Sequence, residues 1–460
     1  MSSVAARFAE IVGGSYLLSG DAIPEDYAHD EALTAPPRPP AHLAKPQSTR
    51  EVADLLKAAN ELGVPVTARG SGTGLSGGAR PRADGLLVSF ERMNAVLEID
   101  TANHVAVVQP GVTLAELNTQ AAEAGLGYTV SPGEPSASIG GNVGTNAGGM
   151  RAIKYGVTRH HVVGLEAVLA TGDIIRTGGK ISKVSSGYDL TQLIIGSEGT
   201  LAVVTEIIVK LHPRLAHSAT VLAPFTTFDE VLTAVPKIVS SGLEPHILEY
   251  IDSQTLAAIS EYTEHGLGVP DRIRDTAQAY LVVALENRDN DRLQADVVAL
   301  GGLLDELGAI EVYVLEGNSA RELIEAREKS FWTAKARGAD DIIDVVVPRA
   351  AMPEFLRRTR ETVQSYGAGA AGCGHAGDGN VHLGIFCEEP ERREKLLTEI
   401  FALGMELGGA ISGEHGLGQT KSEYFLDLED PAKIALMRRI KESFDPAGIL
   451  NPGDPYVERG

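Results

Sequence analysis

The sequence predicts an α+β fold in two parts, and three observations carry that reading. The chain has 460 residues, more than one ordinary hydrophobic core holds. Its first half sets short β-rich runs beside two capped helices and two glycine-rich loops. From about residue 216 the pattern changes to longer strand-like runs alternating with helix-length segments, which reads as an α+β second domain with a mostly antiparallel sheet.

The elements follow in order. "APPRPP" at 35–40 is a stiff, extended entry to the first domain. Residues 48–62 carry a capping box, Ser48 with Glu51, and a helical stripe of Val52, Leu55, Leu56, Ala59 and Leu62, with Gly63 as the stop. "VPVTA" follows as a strand. "TLAELNTQAAEA" repeats the helical logic with Thr113, Glu116 and a terminal Gly125. Around these helices lie "GLLVSF", "AVLEID", "VAVVQPG" and "GTLAVVTEIIVKL" as strands. In the second part "SATVLAPF", "HILEYID", "AYLVVALE", "AIEVYVLE" and "DIIDVVVP" are strands, followed by a helix at 350–366.

Composition narrows the function. Hydrophobic residues make up 43% and charged residues 22%, as in a globular protein in water, and the net charge is −22. That charge argues against nucleic acid and anionic membrane surfaces, and an anionic substrate needs locally gathered positive charge. Cys373 and Cys387 are the only cysteines and lack CxxC spacing, so a disulfide scaffold and an iron–sulfur cluster on this chain are excluded. No apolar run is long enough to span a bilayer, and the N-terminus has no long apolar leader core; the expected location is the cytoplasm.

"GCGHAGDGNVHLGIF" at 372–386 places two histidines across a segment too rich in glycine for a helix. Asp378-Gly379 signals a two-residue hairpin of type I′, which would set His375 directly opposite His382. Imidazoles so placed can converge on one ion; they can equally be turn-flanking groups bonded to backbone. A metal needs a third ligand.

"RGSGTGLSGGA" at 69–79 contains Gly72, Gly74 and Gly77 in GxGxxG spacing, yet "ARPRADG" follows where a dinucleotide fold needs a helix. What remains is an anion-cradling run of backbone amides after a strand, or a flexible surface loop. "SPGEPSASIGGNVGTNAGG" at 131–149 holds six glycines and two asparagines, suited to backbone running close against a flat, extended ligand. Two such loops suggest one long cofactor with a pyrophosphate and a ring system.

These stretches, with "KYGVTRHHVVGLEAVLATGDII", "SGYDLTQLIIGSEGTLAVVTEI", "GHAGDGNVH", "SGEHGLG" and "FDPAGILNPG", resemble the FAD-linked D-2-hydroxyacid dehydrogenases over nearly the whole chain. That group includes glycolate oxidase catalytic subunits, D-lactate dehydrogenases and D-2-hydroxyglutarate dehydrogenases, within the vanillyl-alcohol oxidase/p-cresol methylhydroxylase (PCMH) superfamily. The resemblance implies a two-subdomain, PCMH-type FAD-binding domain at 1–215, an α+β cap at 216–420, and a C-terminal segment at 421–460 returning to the FAD domain. It places Gly70, Ser71, Gly72, Thr73, Gly74 and Leu75 at the pyrophosphate. Pro132, Gly133, Ser138, Gly141, Asn142, Thr145 and Ala147 would line the adenosine and ring portions, with Val203 near the adenine and Asn451 closing the site. Some members attach FAD through a histidine in or near the first loop. This loop has none, so non-covalent FAD is expected.

The resemblance also supplies the third ligand, Glu414, beside His375 and His382. Two imidazoles and a carboxylate suit zinc above all, or manganese or ferrous iron. Taken alone, "GEHG" reads equally as an acidic first turn of a helix. A 2-hydroxyacid would chelate the ion through its hydroxyl and one carboxylate oxygen, and its C2 hydride would pass to flavin N5. His415 is the candidate general base, with an orienting role beside the metal as the competing reading. Arg327 matches the carboxylate-binding arginine; Leu323, Ile324, Ser330 and Phe331, three and four residues away, offer it no helical ion pair.

One departure bears on the substrate. Where the D-2-hydroxyglutarate enzymes have a threonine, a lysine and an asparagine, this chain has Phe331, Ile342 and Gly384. A second carboxylate facing those residues would be desolvated without partners. The expected substrate is a monocarboxylate: D-lactate, glycolate or a longer apolar 2-hydroxyacid. D-2-hydroxyglutarate oxidation, a metal-dependent hydrolase and a nucleotide-binding module without redox activity are the competing readings. Electrons would leave to a quinone, a cytochrome, an electron-transfer flavoprotein, a separate iron–sulfur subunit or oxygen. A homodimer is compatible, and membrane attachment would arise only peripherally, through an acceptor partner.

Overall fold

Ser48 starts the first long helix as its position predicts: its hydroxyl accepts from Glu51 N at 3.2 Å, and the helix runs Thr49–Leu62 to a left-handed Gly63. The Glu51 carboxylate turns to Gln47 N rather than to Ser48 N, so the predicted box closes one residue early. At Thr113 and Glu116 both halves of the box form. Residues 3–263 and 269–453 are described by this computed structural model.

Val52, Leu55, Leu56 and Ala59 bury one face of that helix, while Leu62 at the end of the stripe stays exposed. Burying each leucine contributes about 1.5–3 kcal/mol. The face packs on a four-stranded sheet in the order Leu17–Ser19, His42–Ala44, Leu86–Ser89, Val66–Arg69. A five-stranded antiparallel sheet, with Val203–Lys210 at its centre, carries a second core with Leu114, Leu117 and Ala121 of the Thr113-capped helix. The second glycine-rich stretch, expected to run close against a flat, extended ligand, contains a short helix, α1 (Ile139–Thr145). Ser138 caps it, accepting from Gly141 N at 3.2 Å.

A seven-stranded sheet forms from β1 (His217–Phe225), β2 (Ile247–Asp252), β3 (Ala279–Asn287), β4 (Tyr313–Leu315), β5 (Asp341–Val346), β6 (Gly369–His375) and β7 (Asn380–Phe386). Its order is β4-β1-β3-β2-β6-β7-β5 and every pairing is antiparallel. One face carries the largest core. The other faces α2 (Ser253–Thr263), α3 (Gly317–Glu328) and α4 (Ser330–Ala336). The chain then returns: Leu450 pairs with Val66, and Lys441 ties Asp445 at 2.5 Å to the carbonyls of Thr200 and Leu450. Of the C-terminal segment 421–460, residues 454–460 lie outside the described residues.

Candidate functional site

The hairpin forms, with a different register from the one its turn residues predict. His375 pairs with Asn380, and His382 with Cys373. The loop is four residues long because Gly377 N donates to Leu248 O of the neighbouring β2, drawing it out sideways. Asp378 N and Gly379 N both donate to His375 O. Only Gly379 of the two turn residues has positive φ (81°), so the turn is not type I′. His375 and His382 are therefore diagonal neighbours on one face, still within reach of long side chains. Their ring centroids are 4.9 Å apart.

Glu414 arrives from a separate loop. Its Oε2 is 3.2 Å from His375 Nε2 and 3.7 Å from His382 Nε2. Ligands at about 2.0–2.2 Å from one ion stand about 3–3.5 Å apart, so this donor set fits a divalent metal. Asp344, fully buried on β5, fixes the loop. Its Oδ2 accepts from Ser412 Oγ, Gly413 N, Glu414 N and His415 N at 2.8–3.1 Å, while Oδ1 accepts from Asn380 Nδ2 at 2.9 Å. Asp344 Oδ1 lies 3.6 Å from His382 Nδ1 and Oδ2 3.9 Å from His415 Nδ1, too far for hydrogen bonds but close enough to bias both rings.

The electrostatics separate the two imidazoles. Burial and the nearby His375 bring His382 down to about 3, so it stays neutral and able to ligate. Burial also disfavours charge on His375, but Glu249 and Glu414 outweigh it and raise its pKa well above the ordinary value. Burial would raise Glu414, yet His375 and His382 hold it down to about 2. His415 is lowered, chiefly by burial.

Arg327, matched to the carboxylate-binding arginine, has no acid within helical reach. Its partner instead comes from β2: Glu249 Oε2 lies 2.6 Å from Arg327 Nη2, out of line for a hydrogen bond but well within ion-pair range. Glu249 Oε1 is 2.7 Å from His375 Nδ1. Arg327 Nη1 donates to Ser330 Oγ at 3.2 Å, and Nε has no hydrogen-bond partner among the described residues. No local spacing pointed to Glu249, because it sits 126 positions from His375 in sequence.

Two cavities meet at this cluster. The larger, about 230 Å³, is lined by Gly70, Ser71, Gly72, Thr73, Gly74, Leu75, Pro132, Ser138, Gly141, Asn142, Thr145, Ala147 and Val203. Ser138 joins its two loops, its Oγ accepting from Ser71 N as well as Gly141 N. A Cβ on Gly70 would fall 2.0 Å from that Oγ, so only glycine allows this approach. Gly133 lines the other cavity, and Asn451 lines neither: it stands behind the loops, donating to Gly78 O and Glu198 O. The second cavity, about 210 Å³, runs from His375 and His382 past Arg327 to Phe331, Ile342 and Gly384. Leu75, Pro132, Glu414 and His415 line both.

Comparison with known proteins agrees with this arrangement. Residues 40–178 match the FAD binding domain family, and residues 214–454 match the FAD linked oxidases, C-terminal domain. An FAD-linked oxidoreductase of Mycobacterium tuberculosis, itself uncharacterized, is 68% identical, covering 98% of this chain and 99% of that protein. The glycolate oxidase subunit GlcD of Bacillus subtilis is 36% identical, over 98% of this chain and 94% of that protein. A D-lactate dehydrogenase of Anaerostipes hadrus is also 36% identical, over 97% and 96%. The structure of p-cresol methylhydroxylase superposes with a TM-score of 0.82 at 17% identity, covering 99% of this chain and 96% of that one, which shows a common fold. Relatives that align from end to end, and a family match over more than half of its length, make this chain a member of the FAD-linked oxidases and an FAD-dependent oxidoreductase of the PCMH-type fold.

Proposed function

We propose that the protein oxidises a D-2-hydroxyacid with a single carboxylate to the 2-oxoacid, using non-covalent FAD and a divalent metal, zinc first, held by His375, His382 and Glu414. The observation that carries this is the shared wall. Glu414 and His415 line both the cavity of the FAD-binding loops and the cavity holding the histidine pair and Arg327. When bound, the flavin supplies a hydride acceptor and the metal ion a Lewis acid for the hydroxyl.

The chain's own groups do the rest. Arg327 anchors the carboxylate from the cavity wall. His415 takes the hydroxyl proton. Burial keeps its imidazole neutral, with the Asp344 carboxylate behind its Nδ1 at 3.9 Å. Asp344 holds Glu414 and His415 in one rigid turn.

Against D-2-hydroxyglutarate, Phe331 and Ile342 line the cavity where a second carboxylate would need partners. A side chain at Gly384 would meet Ala334 Cβ at 3.3 Å. A metal-dependent hydrolase leaves the FAD-domain match idle. Anaerobic flavin reduction by a panel of D- and L-2-hydroxyacids, with metal analysis of the same sample, tests the proposal. Bleaching by D-monocarboxylates is expected; bleaching by none of the acids would end it.

A further inference from the structure

The second cavity is roomier and more apolar at its outer end than D-lactate or glycolate requires. It measures about 210 Å³, whereas an apolar void of about 150 Å³ takes a whole benzene. Its inner end holds His375, His382, Glu414 and Arg327, which a hydroxyacid head group would occupy. The outer wall is Ala258 of α2, Phe331 and Ala334 of α4, Ile342 of β5, and Gly384 and Phe386 of β7.

Two polar groups on that wall are already committed: Thr333 Oγ1 donates to Lys329 O at 2.9 Å and Ser330 Oγ accepts from Arg327. Arg337 is directed to the surface, where it pairs with Glu261, both about half exposed or more, and Gln254 and Thr255 line the cavity on the α2 side. Helix α4 and the turn after it pack so closely on β7 that a Cβ on Gly384 would sit 3.3 Å from Ala334 Cβ and 3.5 Å from Ala339 Cβ. The wall there is bare backbone and methyl groups. A polar chain placed against it loses water and gains nothing; a hydrocarbon chain gains burial.

We propose that this outer wall is a side-chain subsite selecting bulky apolar D-2-hydroxyacids, carrying an aryl or branched alkyl group of about four to seven carbons. The proposal rests on the oxidation proposed above for the head group. It makes D-lactate and glycolate poor substrates that leave most of the cavity unfilled.

The test is kcat/KM of the wild-type holoenzyme with a dye acceptor on glycolate, D-lactate, D-2-hydroxyisocaproate, D-3-phenyllactate and D-2-hydroxyglutarate. Each buried methylene is worth about fourfold, so D-2-hydroxyisocaproate and D-3-phenyllactate should exceed D-lactate by at least about tenfold, with D-2-hydroxyglutarate below both. Ala334→Leu should cut the ratio of phenyllactate to lactate activity by about tenfold with the flavin spectrum retained. Ile342→Lys should raise D-2-hydroxyglutarate relative to phenyllactate. D-lactate or glycolate at the top of the wild-type series would overturn the subsite while leaving the oxidation intact, whether or not the variants fold. An unchanged ratio in a folded Ala334→Leu would also overturn it. Flavin that no 2-hydroxyacid reduces would remove the oxidation itself.

Discussion

Glu249 and Arg327 meet inside the protein, Oε2 to Nη2 at 2.6 Å, with side chains only 0% and 6% exposed. The other oxygen of the same carboxylate holds His375 Nδ1 at 2.7 Å. One buried acid thus orients both an imidazole of the candidate metal cluster and the arginine that lines the second cavity.

Glu249→Gln should therefore disturb both. The amide accepts from one partner and opposes the other with its NH₂. Metal affinity of the flavin-loaded protein should fall about 10–100-fold, and KM for the hydroxyacid should rise while the visible flavin bands persist. Metal titration followed by direct binding, beside steady-state kinetics, checks this; equal affinities in variant and wild type would show that His375 needs no such support.

Chelation should separate the two cofactors. Stripping the ion is expected to abolish flavin reduction by hydroxyacids, without bleaching or releasing FAD, because His375 and His382 line the second cavity and Glu414 alone of the three also lines the cavity of the FAD-binding loops. Zinc, manganese or ferrous iron added back should restore reduction. His382→Ala should resist that rescue. Loss of FAD together with the metal would contradict the separation.

Ser138→Ala should loosen the cofactor cavity. The hydroxyl accepts from Gly141 N at 3.2 Å and Ser71 N at 3.3 Å, capping α1 and tying the two loops together. The expected cost is about 1 kcal/mol of stability, with faster FAD release on dilution. Melting curves and flavin fluorescence measure the two effects.

Acid should weaken the protein through His161 and His246. Both are buried, and burial brings each down to about 4 from an ordinary 6.5. Between those values the unfolded chain binds protons that the folded chain does not. Their contribution is thus complete above about pH 6.5 and is lost as pH falls toward 4, by at most about 3 kcal/mol each. Thermal melts of wild type and His246→Gln across that range should show a shallower slope in the variant; parallel slopes would remove the linkage.

Much of this site is written in local runs. The glycines of 70–74 and 140–141, the histidines 375 and 382, and the Glu414-His415 pair all announce themselves by residue type within short windows. What local windows cannot show is partnership across strands. Glu249 and Asp344 look like ordinary strand acids until β2 lies beside β6 and β5 beside β7. The hairpin register escaped for the same reason, since a bond from Gly377 to β2 reshaped a turn that Asp378-Gly379 alone would have made tighter. Asn451, expected from its motif to close the site, lines neither cavity, and its place behind the loops depends on the chain end returning to Val66.

Leu75, Pro132, Glu414 and His415 form a party wall between two chambers. Because each of these four side chains faces both ways, replacing any one of them reshapes two binding spaces at once.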